Sequence, residues 1–333
     1  MSDIKEKTFN RVDVKSPLLN EWLYPCSIKQ TVTSDDKGIV NGASYSVSNA
    51  QNGLRCEVTI DDNTKLNLRC GFSLNESDYL MNVELSQYTN FEIEQLNYKT
   101  DFFELLNKVN LFNQFISLAS LSSSKIIDIT LYDNDNYQSL KSGKKHLRAV
   151  KLYYIDSKST YSEIKKNTNF LFTYYQIELI FPNIIRKWYD VKNNVAPIRT
   201  HLLNSIKDQI RFDSLDFLIV AQSLEGYHLR FEPKLKKKNV TLTDRYTALI
   251  YQFKDVVKIN ISDREIKASV DSRNYYSHFY YKRKSLIVLD GLDLYQLTKK
   301  LRTLLICCTL SLIGFDNNTI NELLSKSNNS KLS

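Results

Sequence analysis

Glycine, proline and methionine are scarce in this chain of 333 residues: eight, five and two. So little glycine and proline excludes collagen-like and low-complexity linker architectures and leaves few positions to break regular structure. No stretch is apolar for the length a membrane span needs; the longest, Leu304 to Phe315, is too short and has polar breaks. The first twenty residues hold no apolar segment of the kind an export signal carries, so a cytoplasmic location with no membrane partner is expected. The four histidines (His146, His201, His228, His278) are far apart and the cysteines show no paired spacing, so neither a metal nor another cofactor is expected. Cys26, Cys56, Cys70, Cys307 and Cys308 are odd in number, and buried free thiols explain them better than disulfides. A glycine-rich phosphate loop, a Ser–His–Asp arrangement and a His-Glu-x-x-His pattern are also missing.

What is present is aromatic and basic. Tyrosine numbers 21, and Lys plus Arg outnumber acids 45 to 37, for a net charge of +8 and a pI near 9.0. That balance suits an anionic partner, nucleic acid before a membrane surface, although many basic proteins bind neither. Length and composition suit two globular domains.

The first half alternates. Apolar residues recur at every second position in Leu54–Ile60, in Leu66–Phe72 and at Met81, Val83 and Leu85, with Asp61-Asp62-Asn63 and Asn75-Glu76-Ser77 as turns between them. This predicts antiparallel sheet with one face in water. A helix interrupts it over Asp101–Ala119, and strands are expected again at Lys125–Tyr132, His146–Ile155 and Phe170–Leu179, with an exposed loop at Asp133–Lys145.

After Pro182 the apolar spacing becomes three and four. Helices are expected at Ile184–Trp188, Pro197–Ile210, Ser214–Arg230, Asp244–Val257, from the Ser262 capping box onward, over Asp293–Ile313 and at Thr319–Leu324. Ser214–Arg230 is apolar nearly all round and should be central. The fold class read from this is α+β: a β-rich antiparallel domain over 1–190, a helical connector over 191–213 and an all-α bundle over 214–333.

The helix begun at Ser262 carries Arg273-Asn274, three further residues and His278. RNA holds its own nucleophile, the ribose 2′-hydroxyl. A histidine that exchanges protons near neutral pH and a guanidinium over the phosphate are what its cleavage needs. Asn274 can orient either by hydrogen bonding. Spacing alone does not single the pair out, since chance supplies a comparable Arg–His pair roughly half a time per chain of this composition. Five positions turn about 500° on a regular helix, leaving the two side chains roughly 140° apart. Convergence on one phosphate therefore calls for a helix that ends or bends near Tyr276–Ser277, or for a site shared by two copies.

Lesser candidates follow. Glu225 and His228 lie on one helical turn, able to pair or to support the Arg–His site, though a helix-stabilising pair or a buried hydrogen bond is the plainer reading. Lys236, Lys237 and Lys238, with Lys234 before them, and Lys282, Arg283 and Lys284 after the motif are candidates for steering RNA, against the plainer reading of solvated loops. Tyr275, Tyr276, Tyr280 and Tyr281 have the chemistry to stack on bases, but core packing is the better expectation.

Taken together, Ser272-Arg273-Asn274-Tyr275-Tyr276-Ser277-His278 and the upstream helix Phe217-Leu218-Ile219-Val220-Ala221-Gln222-Ser223-Leu224-Glu225-Gly226-Tyr227-His228 resemble the ApeA-like HEPN proteins of bacterial antiviral defence. Lys37–Val47 is similar, more loosely, to strands of the family's N-terminal domain; the family's N-terminal region looks short here, beginning abruptly near Trp22. The resemblance implies a HEPN-like bundle acting as a metal-independent endoribonuclease in abortive infection. It also implies Arg273 and His278 as the catalytic pair with Asn274 beside them, a 2′,3′-cyclic phosphate product, and a homodimer or larger homo-oligomer through the HEPN domain. Transfer RNA or single-stranded RNA is the implied substrate, with a phage-derived trigger. Two other readings stay open: a non-catalytic HEPN dimerisation or RNA-binding module of a defence complex, and a HEPN toxin of a toxin–antitoxin pair.

Overall fold

The computed structural model describes residues 7–23, 28–47, 53–76, 83–152, 169–206, 213–232, 240–256, 259–279, 281, 285–329 and 331–332. The chain is α+β, with antiparallel sheet in its first part and helices in its second. Its strands are β1 (Thr8–Phe9), β2 (Arg11–Lys15), β3 (Ile28–Ser34), β4 (Val40–Val47), β5 (Leu54–Asp61), β6 (Thr64–Glu76), β7 (Val83–Gln95), β8 (Thr100–Asp101), β9 (Asp128–Ser139) and β10 (Lys145–Leu152). The helices are α1 (Pro17–Leu23), α2 (Phe102–Ser120), α3 (Tyr174–Ile177), α4 (Phe181–Asp190), α5 (Lys192–Ser205), α6 (Ser214–Phe231), α7 (Leu242–Gln252), α8 (Asp263–His278), α9 (Gly291–Leu312) and α10 (Asn317–Lys326).

Six strands form one antiparallel sheet in the order β10-β9-β2-β7-β6-β5, while β3 and β4 make a separate hairpin. Alternation decides the faces. Val12, Val14, Leu66, Leu68, Ile93 and Leu131 point to one side and are fully buried. The α2 residues Leu105, Val109, Phe112 and Phe115 are also fully buried, and Phe112 packs its ring on Phe91 at 4.7 Å. Trp22 of α1 closes this core edge-on to Phe112 and Phe115. The opposite face is polar, with Arg11, Asp13 and Lys15 on β2 as its central row.

Asp13 sits badly there. Burial, opposed by Arg11 and aided by Glu92, raises its carboxyl to about 6. The folded carboxyl holds its proton to a higher pH than the unfolded one, so this site's contribution to stability is present at low pH. It is lost as pH rises from about 4 to about 6. Asp13→Asn is therefore expected to raise the urea midpoint at pH 7.5, by up to ~3 kcal/mol. It should also flatten the midpoint between pH 4 and 6.5; a lower midpoint at pH 7.5 would contradict this account.

Several expectations need correction. Residues ahead of Trp22 are no ragged start, since β2 is an interior strand of the sheet and α1 lies in its core. Phe170–Leu179 is not a strand. A one-turn helix forms over Tyr174–Ile177, whose first turn Gln176 caps by accepting from the Thr173 amide and hydroxyl. Its aromatic and branched residues have strand propensity, but Leu171, Phe172, Tyr174 and Ile177 bury at near-helical spacing and tertiary burial prevails. The expected loop Asp133–Lys145 is largely hairpin: β9 continues to Ser139 and pairs with β10 from Lys145. Both of its faces are wet there, so no alternation marks it.

α5 begins at Lys192 and carries Pro197 inside it, which the sequence placed at its start. α7 ends at Gln252, and Val257 and Met81 lie outside the described residues. Cys307 and Cys308 are buried and free; Cys56 and Cys70 are free but half-buried, and Cys26 lies outside the described residues.

The chain divides into two compact units near Ile177, ahead of the Asp190–Asp213 interval read from the sequence, because α4 and α5 pack with the later helices. In that second unit α6 is central, touching α5, α7, α8 and α9. Among the described residues, no helix is long and apolar enough to cross a membrane.

Candidate active site

α8 starts where the capping box predicts. The Ser262 hydroxyl accepts from the Glu265 amide, and Glu265 accepts from the Ser262 amide. It then runs unbroken to His278, where Phe279 takes a left-handed conformation (φ 55°) and stops it. The buried side is sealed by polar bonds: Ser272 Oγ accepts from the Leu289 amide at 3.0 Å, Asp271 from the Ile287 amide at 2.9 Å, and Tyr276 donates to the Leu289 carbonyl at 2.8 Å. These bonds fix the helix rotation and so which residues face outward.

Arg273 Nη1 lies 3.1 Å from His278 Nε2. The helix ends close to Tyr276–Ser277, as one of the expected alternatives had it, and makes no bend before that end. His278 is the last helical residue, and the long arginine side chain covers the angular offset. A guanidinium can only donate, so Nε2 is placed as the acceptor in this contact, a role the Nδ1–H tautomer allows.

The same guanidinium donates from Nη1 to Asn274 Oδ1 at 3.2 Å and from Nη2 to Glu225 Oε2 at 2.9 Å. Its Nε is buried with no hydrogen-bond partner among the described residues. Arg273 and Glu225 are about one-fifth and one-quarter exposed, so the ion pair is half-shielded at the rim of the bundle. Glu225 thus belongs with the Arg–His pair, as one of the two sequence readings had it.

His228, one turn on, does not. It is buried, its Nδ1 has no hydrogen-bond partner among the described residues, and burial together with Arg245 lowers its pKa against the pull of Glu232. Tyr246 of α7 is a further neighbour of Glu225 and Arg273. It is fully buried and donates to the Ala221 carbonyl at 3.4 Å. Burial first, then the Glu225 charge, pushes its phenol far up, with Arg273 opposing. A tyrosine at helical spacing gives no sign of such a neighbour.

Lys234, Lys236, Lys237, Lys238, Lys282, Arg283, Lys284 and Tyr280 lie outside the described residues. Tyr276 packs edge-on against Phe217, while Tyr281 is exposed. Among the described residues, no three His, Cys, Asp or Glu side chains gather as metal ligands do.

Arg273, His278, Glu225 and Asn274 therefore form one polar cluster of a permanent cation, an imidazole, an anchoring carboxylate and an amide. A family model described as ApeA N-terminal domain 1 matches residues 2–188, and one described as Apea-like HEPN matches residues 218–319. No curated protein and no solved structure matches.

Proposed function

The chain belongs to the ApeA-like HEPN proteins, a family with a defence-associated, nuclease-like role, and from that premise we propose that it is a metal-independent endoribonuclease acting in abortive infection. The observation that carries the proposal is the contact of Arg273 Nη1 with His278 Nε2 at 3.1 Å, with Glu225 gripping the other arm of the guanidinium. In this reading an RNA phosphate draws Arg273 away from the imidazole. Nε2 is then free to take the proton of the ribose 2′-hydroxyl as that oxygen attacks phosphorus. Arg273 meets the charge building on the phosphate oxygens, and the protonated histidine, or its counterpart in a second copy, returns a proton to the departing 5′-oxygen. The products are a 2′,3′-cyclic phosphate and a 5′-hydroxyl. A homodimer through the helical unit would place two such clusters along one cleft.

Purified protein incubated with total tRNA and with single-stranded RNA in EDTA tests this. Cleavage with cyclic-phosphate ends supports it, and intact RNA at enzyme excess refutes it.

Glu225 supplies a second test, as the residue that positions Arg273. Glu225→Ala lets the guanidinium drift, and a misplacement of about 1 Å can cost ~100-fold in rate. Glu225→Gln keeps a bond without the charge and should lose about tenfold, by the same geometric argument. The pair is only about one-fifth to one-quarter exposed, so losing it costs some stability, and the expected signature is a fall in activity far larger than the fall in melting temperature can explain. Loss of fold in step with activity would show Glu225 to be merely structural.

A further inference from the structure

The polar face of the six-stranded sheet carries a groove of about 500 Å³, lined among others by Asp13 and Lys15 of β2, Arg69 of β6, Tyr88 and Asn90 of β7 and Lys151 of β10. It lies within the first compact unit, whereas the Arg273–His278 cluster belongs to the second. Pockets of a few hundred Å³ suit small ligands.

Its floor is aromatic for a stated reason. Gly71 stands opposite Tyr88 across β6 and β7, and a Cβ at Gly71 would come within 2.5 Å of the tyrosine ring. Only glycine leaves room for the ring to lie across the strand, at the expense of a weakened strand position. Tyr88 as a residue is 39% exposed. Lys15 Nζ hovers 5.3 Å from its centroid, farther than a stacked ring would lie and on a flexible stem.

Around this plane the charges are sorted. Arg69 is tied to Glu92 at 2.6 Å and Asp13 to Arg11 at 3.0 Å, which immobilises both as parts of the wall. Among the described residues, Lys15 and the exposed Lys151 make no salt bridge that would compete for an incoming anion. Asp128 faces Lys15 directly across β2 and β9, and Asn90 adds an amide, so hydroxyl and amino groups find acceptors here. A charged lining disfavours an apolar ligand, and carboxylates that each face a cation disfavour a metal ion. A flat ring flanked by mobile cations and hydrogen-bonding groups matches a base carrying a phosphate.

We propose that this groove binds a small nucleotide, its base stacked on Tyr88 and its phosphate held by Lys15 with Lys151. Binding here is independent of the cleavage reaction, since a mononucleotide has no internucleotide bond to cut.

Calorimetric titration of the full chain with the four ribonucleoside monophosphates tests it, with ribose 5-phosphate and inorganic phosphate as base-free controls. At least one nucleotide should bind, and ribose 5-phosphate should bind at least about tenfold more weakly, the size of one stacking contact. Tyr88→Leu should weaken the nucleotide by about tenfold or more, while Tyr88→Phe, which keeps the ring over Gly71, should retain it. Lys15→Gln with Lys151→Gln should weaken binding and reduce its salt dependence. Three results would overturn the proposal: no binding by any nucleotide, base-free phosphates binding as well as nucleotides, or full affinity in Tyr88→Leu. Because the readout is affinity at β7, failure of the nuclease assay would leave this result standing, and the reverse.

Discussion

His278→Ala is expected to abolish RNA cleavage for practical purposes, lowering the single-turnover rate by at least about 1,000-fold. Removing a general acid–base group costs roughly 10²–10⁴-fold. Here one imidazole is assigned to proton transfer at the 2′-oxygen, and in a symmetric assembly its counterpart would serve the 5′-oxygen. Arg273→Ala removes the cation that donates to that imidazole. It should fall in the range of lost electrostatic stabilisation, about 10²–10³-fold.

The two losses should not multiply. Groups that act as a unit fail together, so the double variant should be close to His278→Ala alone. Arg273→Lys is the sharper probe. It keeps the charge but loses the fork that spans Glu225 and His278, and should recover little of the rate. All four variants should lose far more activity than their fall in melting temperature can explain, because the cluster sits at the rim of the bundle. Cleavage that persists in His278→Ala would remove the assignment and leave a HEPN fold serving as a non-catalytic scaffold.

Legibility in the sequence followed physical signal strength. Ser262 and Glu265 announced the start of α8, because a capping box is local chemistry, and α6 announced its centrality by being apolar all round. The Arg273–His278 contact was only half visible. Angular arithmetic on an ideal helix treats side chains as directions, so it called for an end or bend near Tyr276–Ser277 and could not show that the reach of arginine closes the contact in a helix ending at His278. Glu225 lies 48 positions from Arg273, and the contact depends on how α6 crosses α8, which no local pattern encodes. Both strands of the β9–β10 hairpin were legible, but their continuation past Tyr132 was not: with water on both faces, backbone pairing leaves no trace in hydropathy. The polar sheet face hid in plain alternation, since charged residues at every second position read simply as solvent-facing.

The same blindness to tertiary polar contacts hid the strongest structural element of the helical unit, and it supports the largest stability effect expected for this protein. Asp216, in the first turn of α6, and Arg302, mid-way along α9, are both nearly inaccessible and meet at 2.5 Å through Oδ2 and Nη2. Arg302 Nε also donates to Ser205 Oγ of α5 at 3.3 Å, so one guanidinium joins three helices. Asp216 gains further from its place at a helix N-terminus, where its charge complements the helix dipole.

Asp216→Ala strands a buried guanidinium and is expected to destabilise by about 3–5 kcal/mol, read as a lowered urea midpoint of the helical unit. Arg302→Met leaves a carboxylate buried instead, and should cost a similar amount or less, since Asp216 retains the positive end of α6. The double variant Asp216→Leu with Arg302→Met exchanges the pair for apolar volume. It should recover most of the loss and can even exceed wild type, since a buried ion pair gains little over good packing once desolvation is counted. Single variants that melt like wild type would mean that water reaches the pair; a double variant as unstable as the worse single would mean that the three-helix junction depends on the ion pair itself rather than on filled space.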